Sequence, residues 1–208
     1  GLSATPERKD GLHNIIEESI GPIIIKVEEQ LKIPLVRCIK AEYSKPMEEK
    51  LNTMGKPNIP AMTNDVCFDS SRNAIIVKTI RDLHDENRNV LVLTHRRQHA
   101  ELLVNNIKDL DPGLYLGGMK DLDESNKKQI IVGTYSMCAE GYDNKNLNTV
   151  MLTTSKKDIR QTVGRVLGLR ASGNIQPMIV DIVDTYSVFR WQARSRRLYY
   201  EKQEFEFD

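Results

Sequence analysis

From about residue 66 onward, two spacings of apolar residues alternate along the chain. Short continuous apolar runs, such as VLVL at 90–93 and IIV at 130–132, are typical of buried strands. Between them lie segments whose apolar residues recur every three or four positions, the pattern of amphipathic helices. Further strands are predicted at 114–118, 148–154 and 177–183, and helices at 73–87, 96–110, 157–167 and 187–202. This alternation predicts an α/β domain with an open parallel sheet and helices on both faces.

The first 64 residues have a different pattern. They predict a helix at 10–21 and two extended segments at 22–29 and 34–43. Residues 44–65 are rich in Pro, Gly and Asn, which predicts a mobile linker. We therefore expect two parts, residues 1–64 and a domain at residues 65–208.

The composition is that of an ordinary globular protein, with 39% hydrophobic and 28% charged residues among 208. The longest apolar runs are far too short to cross a bilayer, so no membrane association is expected. The cysteines at 38, 67 and 138 are far apart, which favours neither a disulfide framework nor a CxxC metal site. We expect a reducing, intracellular setting.

The net charge is only +1, but basic residues concentrate near the C-terminus, within 190–202. This stretch could contact a phosphate backbone. It could equally be a solvated helix face with Trp191, Leu198 and Tyr199 packed beneath it. The sequence leaves both interpretations open.

Three loops that follow predicted strands carry the residues with the clearest chemical potential. Hydroxyl, glycine and cationic side chains follow the strands near 94, 133 and 155. In an open parallel sheet, such loops meet beyond the carboxyl ends of the strands. Their hydroxyls, cations and backbone N–H groups are suited to binding phosphates.

Four segments resemble, in order, motifs III to VI of superfamily 2 helicases: GLSATPERKDG at 1–11, VLVLTHRRQHAELL at 90–103, IIVGTYSMCAEGYDNKNLNTVML at 130–152 and QTVGRVL at 161–167. The XPB-like and type I restriction-like branch, which includes large-DNA-virus transcription helicases, is the most similar. The resemblance implies a RecA-like second helicase domain, preceded by a motif III remnant of the first domain and a linker within 1–64. It also implies a viral protein of the cytoplasm, nucleus or viral factory.

The resemblance implies a nucleotide-facing group of residues. Arg165 would be an arginine finger on the γ-phosphate, with Gln161 and Gly164 beside it. Gly141 and Asp143 would lie near the nucleotide, although Asp143 could instead cap a turn. An arginine suits a finger because its planar, permanently charged fork matches the charge of a transferring phosphoryl group.

The sequence departs from the family pattern next to this finger. Thr162 replaces one expected arginine, and Gly168 stands where a second is expected. Arg170 could act as the second finger if the helix ends at Gly168, because glycine is favoured at helix C-termini.

A second implied group contacts the nucleic-acid backbone without reading its sequence. By resemblance, Thr134 contacts a strand phosphate, and Thr94, His95 and Arg96 touch the same backbone. Thr94 could instead cap the following helix. Gly118 could let a backbone approach, or it could simply form a turn.

The sequence contains no GxxxxGK[ST] phosphate loop. The resemblance implies that ATP and Mg²⁺ are bound mainly by a first domain that this chain lacks, so we expect no ATP hydrolysis by the chain alone. No metal site is expected: His95 and His99 have the spacing of a zinc pair but lack the HExxH glutamate.

The predicted function is the second half of an ATP-dependent nucleic-acid helicase, with DNA favoured over RNA and the N-terminal RecA-like domain as its partner. Two alternatives remain open. One is a restriction-type translocase on duplex DNA, and the other is a degenerate helicase domain that only binds nucleic acid.

Overall fold

The computed structural model describes residues 33–119, 122–139, 144, 146–167 and 175–208, together with Glu18. Apart from Glu18, these residues belong to one compact unit that runs from Leu31 to Asp208. None of the helices in the described ranges is long and apolar enough to span a membrane.

A sheet of seven parallel strands forms the centre of this unit, in the order β3-β4-β2-β5-β6-β1-β7. The strands are β1 (Leu35–Lys40), β2 (Val90–Thr94), β3 (Gly113–Tyr115), β4 (Ile130–Thr134), β5 (Thr149–Leu152), β6 (Met178–Val183) and β7 (Glu206–Phe207). The parallel sheet predicted from the alternating pattern is confirmed.

Seven α-helices are described around the sheet. They are α1 (Ile59–Phe68), α2 (Ser70–Asp85), α3 (Arg97–Asn106), α4 (Leu122–Ser125), α5 (Tyr135–Ala139), α6 (Arg160–Leu167) and α7 (Ser187–Lys202), and a 3₁₀ turn at Lys108–Leu110 follows α3. The four helices predicted between residues 73 and 202 correspond to α2, α3, α6 and α7.

Helices cover both faces of the sheet. Successive side chains of a strand point to opposite faces, so an apolar strand is buried only if both faces are covered. In β2, Val90 and Val92 pack in a cluster with residues of α2 and α3. Leu91 and Leu93 belong to a second cluster with residues of α5, α6 and α7. Each strand buried on both sides reads as a continuous apolar run, as the sequence pattern indicated.

The compact unit begins well before residue 65, the expected start of the domain. β1, which the sequence predicted only as an extended segment, pairs with β6 along its whole length, from Leu35↔Met178 to Lys40↔Val183. The segment therefore completes the sheet instead of belonging to a separate part. Nothing in a single apolar run tells which sheet it joins, because strand pairing is a long-range contact.

Residues 44–65, predicted as a mobile linker, are in part helical and packed. α1 begins inside this stretch, with the Asn58 side chain accepting a hydrogen bond from the Ala61 N–H at 3.2 Å. Pro60 lies in the first turn, where its missing N–H costs nothing. The Asp69 carboxylate then accepts from the Ser44 backbone N–H at 3.0 Å and from the Arg72 N–H at 2.9 Å. The prolines and the asparagine are a helix start and not a sign of mobility.

A buried ion pair joins the carboxyl end of the sheet to α2. Arg72 donates to both carboxylate oxygens of Asp184, at 2.8 and 2.9 Å, and to the Thr153 carbonyl oxygen at 2.5 Å. Tyr43 donates its hydroxyl to Asp184 at 2.8 Å. Both charged side chains are fully buried. The pair therefore fixes the ends of β5 and β6 relative to α2.

A second buried arginine lies on the inner face of α7. Arg196, only 1% exposed, donates to both oxygens of Asp181 in β6, at 2.7 and 2.9 Å. Trp191 and Leu198 are 58% and 57% exposed. Of the three residues expected beneath a basic helix face, Tyr199 packs against the core, but Trp191 and Leu198 do not, and Arg196 lies on the buried face.

We predict that Arg72→Met lowers the free energy of unfolding by about 3–5 kcal/mol, because it leaves the Asp184 carboxylate buried without its cation. Arg97→Met is the matched control, since Arg97 forms an exposed pair with Glu101 at 3.2 Å and such pairs contribute about 0.3–0.5 kcal/mol. Urea unfolding followed by circular dichroism measures both. Equal losses in the two variants would contradict the structural role of the buried pair.

Candidate functional site

The three candidate loops lie side by side at one edge of the sheet. β2 pairs in parallel with β4 on one side and with β5 on the other. The residues at and after their carboxyl ends, which include Thr134, His95 and Lys156, therefore share this edge. The structure confirms this part of the sequence analysis.

Thr94 is fully buried at the end of β2. Its hydroxyl lies 2.7 Å from His99 Nδ1, and His99 Nε2 lies 2.9 Å from Asn73 Oδ1. The Thr94 side chain thus joins β2 to α3 and α2. It has no surface to offer a nucleic-acid strand, contrary to the prediction of a backbone contact.

His95 lies beyond Thr94 and is held by the end of β5. The Thr154 hydroxyl oxygen lies 2.8 Å from His95 Nδ1 and accepts from the His95 backbone N–H at 3.0 Å. The imidazole also packs on the ring of Tyr135, with 4.6 Å between centroids. Desolvation of the ring, together with the charges of Lys156 and Arg96, lowers the pKa of His95 to about 4.

Lys156 also contacts the ring of Tyr135. Its Nζ is 4.7 Å from the Tyr135 ring centroid, a cation–π distance. The same ammonium donates to the Thr162 hydroxyl on α6 at 3.3 Å. Lys156 therefore connects the candidate nucleic-acid edge with the helix that carries the predicted finger.

Arg96 extends from the edge toward α1. Its Nε donates to Asn64 Oδ1 at 2.6 Å, and its Nη2 donates to the Pro60 carbonyl oxygen at 3.0 Å. These contacts fix the guanidinium at the protein surface, at a position where a phosphate could reach it.

Thr134 ends β4 and is partly exposed, with its hydroxyl 3.0 Å from the Ser136 hydroxyl. Gly133 precedes it where β3 and β4 approach closely, and a Cβ there would lie 2.9 Å from the Tyr115 carbonyl oxygen. Glycine thus allows the strand spacing that presents Thr134 at the edge. Contact of Thr134 with nucleic acid stays a prediction.

Gly118 lies in the turn after β3 with a φ of +81°. This backbone conformation favours glycine, which supports the interpretation of Gly118 as a turn residue. A close approach of nucleic acid at this turn stays a prediction.

The residues predicted to face the nucleotide are only partly covered by the described ranges. Gln161, Gly164 and Arg165 lie on α6, with Gln161 and Arg165 one helical turn apart. Gly164 is exposed, and within the described part of the chain no atom apart from its own neighbours and helix backbone lies within 4 Å of the position its Cβ would take. Gly141, Asp143 and Arg170 lie outside the described residues. The roles of all six stay predictions.

Two residues of the edge were not assigned a role from the sequence. Tyr135 and Lys156 follow two of the predicted strands, but no spacing rule indicates that the ammonium of Lys156 contacts the Tyr135 ring. Their contact depends on the pairing of β4 with β2 and of β2 with β5. The sequence indicates only that polar residues follow both strands.

Comparison with known proteins adds independent evidence. No protein-family model matches the chain. The chain is 35% identical to a protein of Acanthamoeba polyphaga mimivirus that is named as an ATP-dependent RNA helicase. The alignment has 219 positions and covers 99% of the chain. The chain is also 31% identical, over 143 residues and 62% of its length, to the ATP-dependent DNA helicase UvsW of Enterobacteria phage T4. Both relatives are viral proteins.

The crystal structure of T4 UvsW has the same fold, with a TM-score of 0.57 and 20% identity over 85% of this chain and 40% of UvsW. The seven-stranded parallel sheet and its helices are therefore those of a RecA-like helicase domain. Both sequence relatives are named as helicases, which agrees with the order of helicase-like motifs in this chain. It spans 42% and 28% of the lengths of these two relatives.

We predict that the domain loses stability on mild acidification because of His99. Burial, together with the nearby charge of Arg72, lowers the pKa of His99 to about 3. An unfolded histidine has a pKa of about 6.5, so below this pH the unfolded chain binds a proton that the folded chain does not. Stability is therefore lost as pH falls from about 6.5 toward 3.

At pH 5.0 this term amounts to roughly 2 kcal/mol relative to pH 7.5. In His99→Gln the difference in unfolding free energy between these two pH values should shrink by about this amount. Urea unfolding at both pH values measures it. If this difference in unfolding free energy is the same in His99→Gln as in the wild type, His99 does not cause the loss of stability at low pH.

Proposed function

We propose that this chain forms the second RecA-like half of an ATP-dependent nucleic-acid helicase. In this proposal the edge formed by β4, β2 and β5 contacts a nucleic-acid backbone through Thr134, His95 and Arg96. Arg165 on α6 is the arginine finger toward a nucleotide bound mainly by a first RecA-like domain. ATP turnover would close the two domains and move the strand.

The observation that carries the proposal is the direct succession of edge and finger helix. β5 ends at the candidate edge, and its loop leads directly into α6. Lys156 in that loop contacts both Tyr135 and Thr162, which belong to the edge and to α6. Through Lys156, the proposed nucleic-acid edge and the helix of the proposed finger are in direct side-chain contact, which supports coupling of strand binding to hydrolysis.

Two residues of α6 support the proposal that this helix faces a nucleoside triphosphate. Gly164 leaves open space on the exposed surface of the helix, and Arg165 adds a permanent positive charge next to it. Among the described residues, no group of three or more His, Cys, Asp or Glu side chains could hold a metal ion. In this proposal Mg²⁺ is held by the first domain, where it would neutralise the developing phosphoryl charge.

We predict that Arg165→Ala in the full-length protein lowers nucleic-acid-stimulated ATP turnover by about 10³–10⁵, the usual contribution of an arginine finger. Arg160→Ala is the matched control, because Arg160 begins the same helix, is exposed and pairs with Asp158 at 3.1 Å. It should keep turnover close to the wild-type value. A coupled-enzyme assay with and without an oligonucleotide measures kcat for each protein.

Equal turnover in wild type and Arg165→Ala would remove the finger from residue 165. Arg170→Ala then tests the second candidate in the same assay. No turnover in the wild type, together with salt-sensitive nucleic-acid binding, would favour a domain that only binds nucleic acid.

We also predict that the 208-residue chain, assayed alone, does not turn over ATP. It carries no GxxxxGK[ST] phosphate loop, so a triphosphate lacks its cradle. The same turnover assay on the purified chain tests this, with the full-length protein as positive control. Hydrolysis by the chain alone that is lost in Arg165→Ala would contradict the need for a first domain.

Strand displacement separates a helicase from a duplex translocase. Matched DNA and RNA duplexes with single-stranded tails identify the nucleic acid, since one relative is named for RNA and the other for DNA. Displacement of a labelled strand supports the helicase proposal. ATP-driven removal of a bound triplex strand without duplex separation would support the translocase.

A further inference from the structure

A small cavity opens beside the candidate edge, and no role has been assigned to it. It has a volume of about 250 Å³ and lies among the ends of β2 and β5, the first turn of α1, and α7. Its polar lining residues are Thr63, His95, Arg96, Ser155, Lys156, Lys157 and Gln192. Small-molecule sites usually have about 300–1,000 Å³. This cavity therefore suits a single phosphate group better than a whole nucleotide.

Three permanent cations line the cavity: Arg96, Lys156 and Lys157. No carboxylate is among the described residues that line it. The hydrogen bonds described for the Arg96 guanidinium go to neutral oxygens, those of Asn64 and Pro60. Lys157 is exposed. The cavity is therefore an electropositive recess that favours an anion.

Two of the cations, Arg96 and Lys156, are held in position by the surrounding structure. Buried Arg196 donates to the Lys156 carbonyl oxygen and to the Ser155 hydroxyl, both at 3.1 Å. Tyr135 and Thr162 hold the Lys156 ammonium. A site whose side chains are already ordered loses less entropy when it binds a ligand.

Gln192 on α7 adds an unsatisfied polar group to the lining. Its Oε1 is buried and has no hydrogen-bond partner among the described residues. A buried amide oxygen without a partner is costly, and rotation of the amide would present its N–H₂ group at the same position. A bound acceptor such as a phosphate oxygen would then satisfy the side chain.

We propose that this cavity is a phosphate-binding subsite for the nucleic-acid backbone, in which Arg96, Lys156, Lys157 and Gln192 donate to one phosphate group. The proposal rests on the nucleic-acid-binding function proposed above and extends the contact surface from the strand ends to α7. Because Lys156 also contacts Thr162, a phosphate that draws its ammonium acts directly on α6. The subsite thus links an occupied strand to the finger helix.

The test measures binding of the 208-residue chain to fluorescein-labelled single-stranded DNA and RNA oligonucleotides by anisotropy, over a range of salt concentrations. Lys157→Gln should weaken binding and reduce the slope of log Kd against log[salt] by roughly 0.7, the value for one lost phosphate contact on a single strand. Lys156→Gln with Lys157→Gln should weaken binding further.

Lys78→Gln is the matched control, because Lys78 is exposed on α2 and lies outside the cavity. The substitution makes the same change in net charge as Lys157→Gln. It should leave the slope unchanged. Thermal unfolding by circular dichroism verifies that each variant is folded. A fluorescent ATP analogue in a parallel titration identifies the source of the phosphate.

Oligonucleotide binding equal to that of Lys78→Gln in both lysine variants would overturn the subsite and leave the proposed function standing. If the lysine variants lose binding of the ATP analogue but keep oligonucleotide binding, the cavity binds the phosphate of a nucleotide. This result would also overturn the proposal. Absence of oligonucleotide binding in the wild-type chain would contradict the proposed function itself.

Discussion

The candidate site depends on the buried ion pair of Arg72 and Asp184. Asp184 follows β6, and the Arg72 guanidinium that binds it also donates to Thr153 after β5 and to Val66 in α1. Tyr43 joins the same carboxylate from the segment after β1. One pair therefore ties two helices and three strand ends together at the carboxyl edge. Such a pair costs several kcal/mol of desolvation and is tolerated because nearly every donor and acceptor is satisfied.

A second constraint acts on the loop between β5 and α6. Arg196 uses Asp181 to offset its charge and its remaining N–H groups to hold Ser155 and Lys156. Lys156 and His95 both contact the aromatic ring of Tyr135. The exposed cations of the edge are thus supported by buried charges beneath them.

The sequence was most informative where local pattern and burial agree. The runs of apolar residues predicted β2, β4, β5 and β6 closely, because strands in a parallel sheet are covered on both faces and tolerate few polar residues. The sequence was least informative at 44–65, because Pro, Gly and Asn are frequent both at helix ends and in loops. Asn58 followed by Pro60 begins a helix, although the same residues are frequent in loops.

Thr94 shows the same limit within the site. A threonine at the end of a strand in a helicase motif suggests an exposed hydroxyl, but His99 on α3 lies 2.7 Å from it and covers it. Because α3 packs back on the strand that precedes it, only the three-dimensional arrangement distinguishes His95, which reaches the surface, from its neighbour. Arg196 was likewise expected in a basic surface stretch and is one of the largest fully buried side chains.

The sequence by itself determined the alternation of strands and helices, the parallel sheet and the order of the helicase motifs. These depend on residue spacing, which is a local property of the chain. The tertiary structure decided which segment completes the sheet, which polar residues are buried as pairs, and which cations surround one cavity. Those outcomes depend on contacts between residues far apart in sequence, such as Tyr135 with Lys156 and Arg72 with Asp184. No local pattern contains that information, because a buried and an exposed arginine have the same sequence signature until the chain folds.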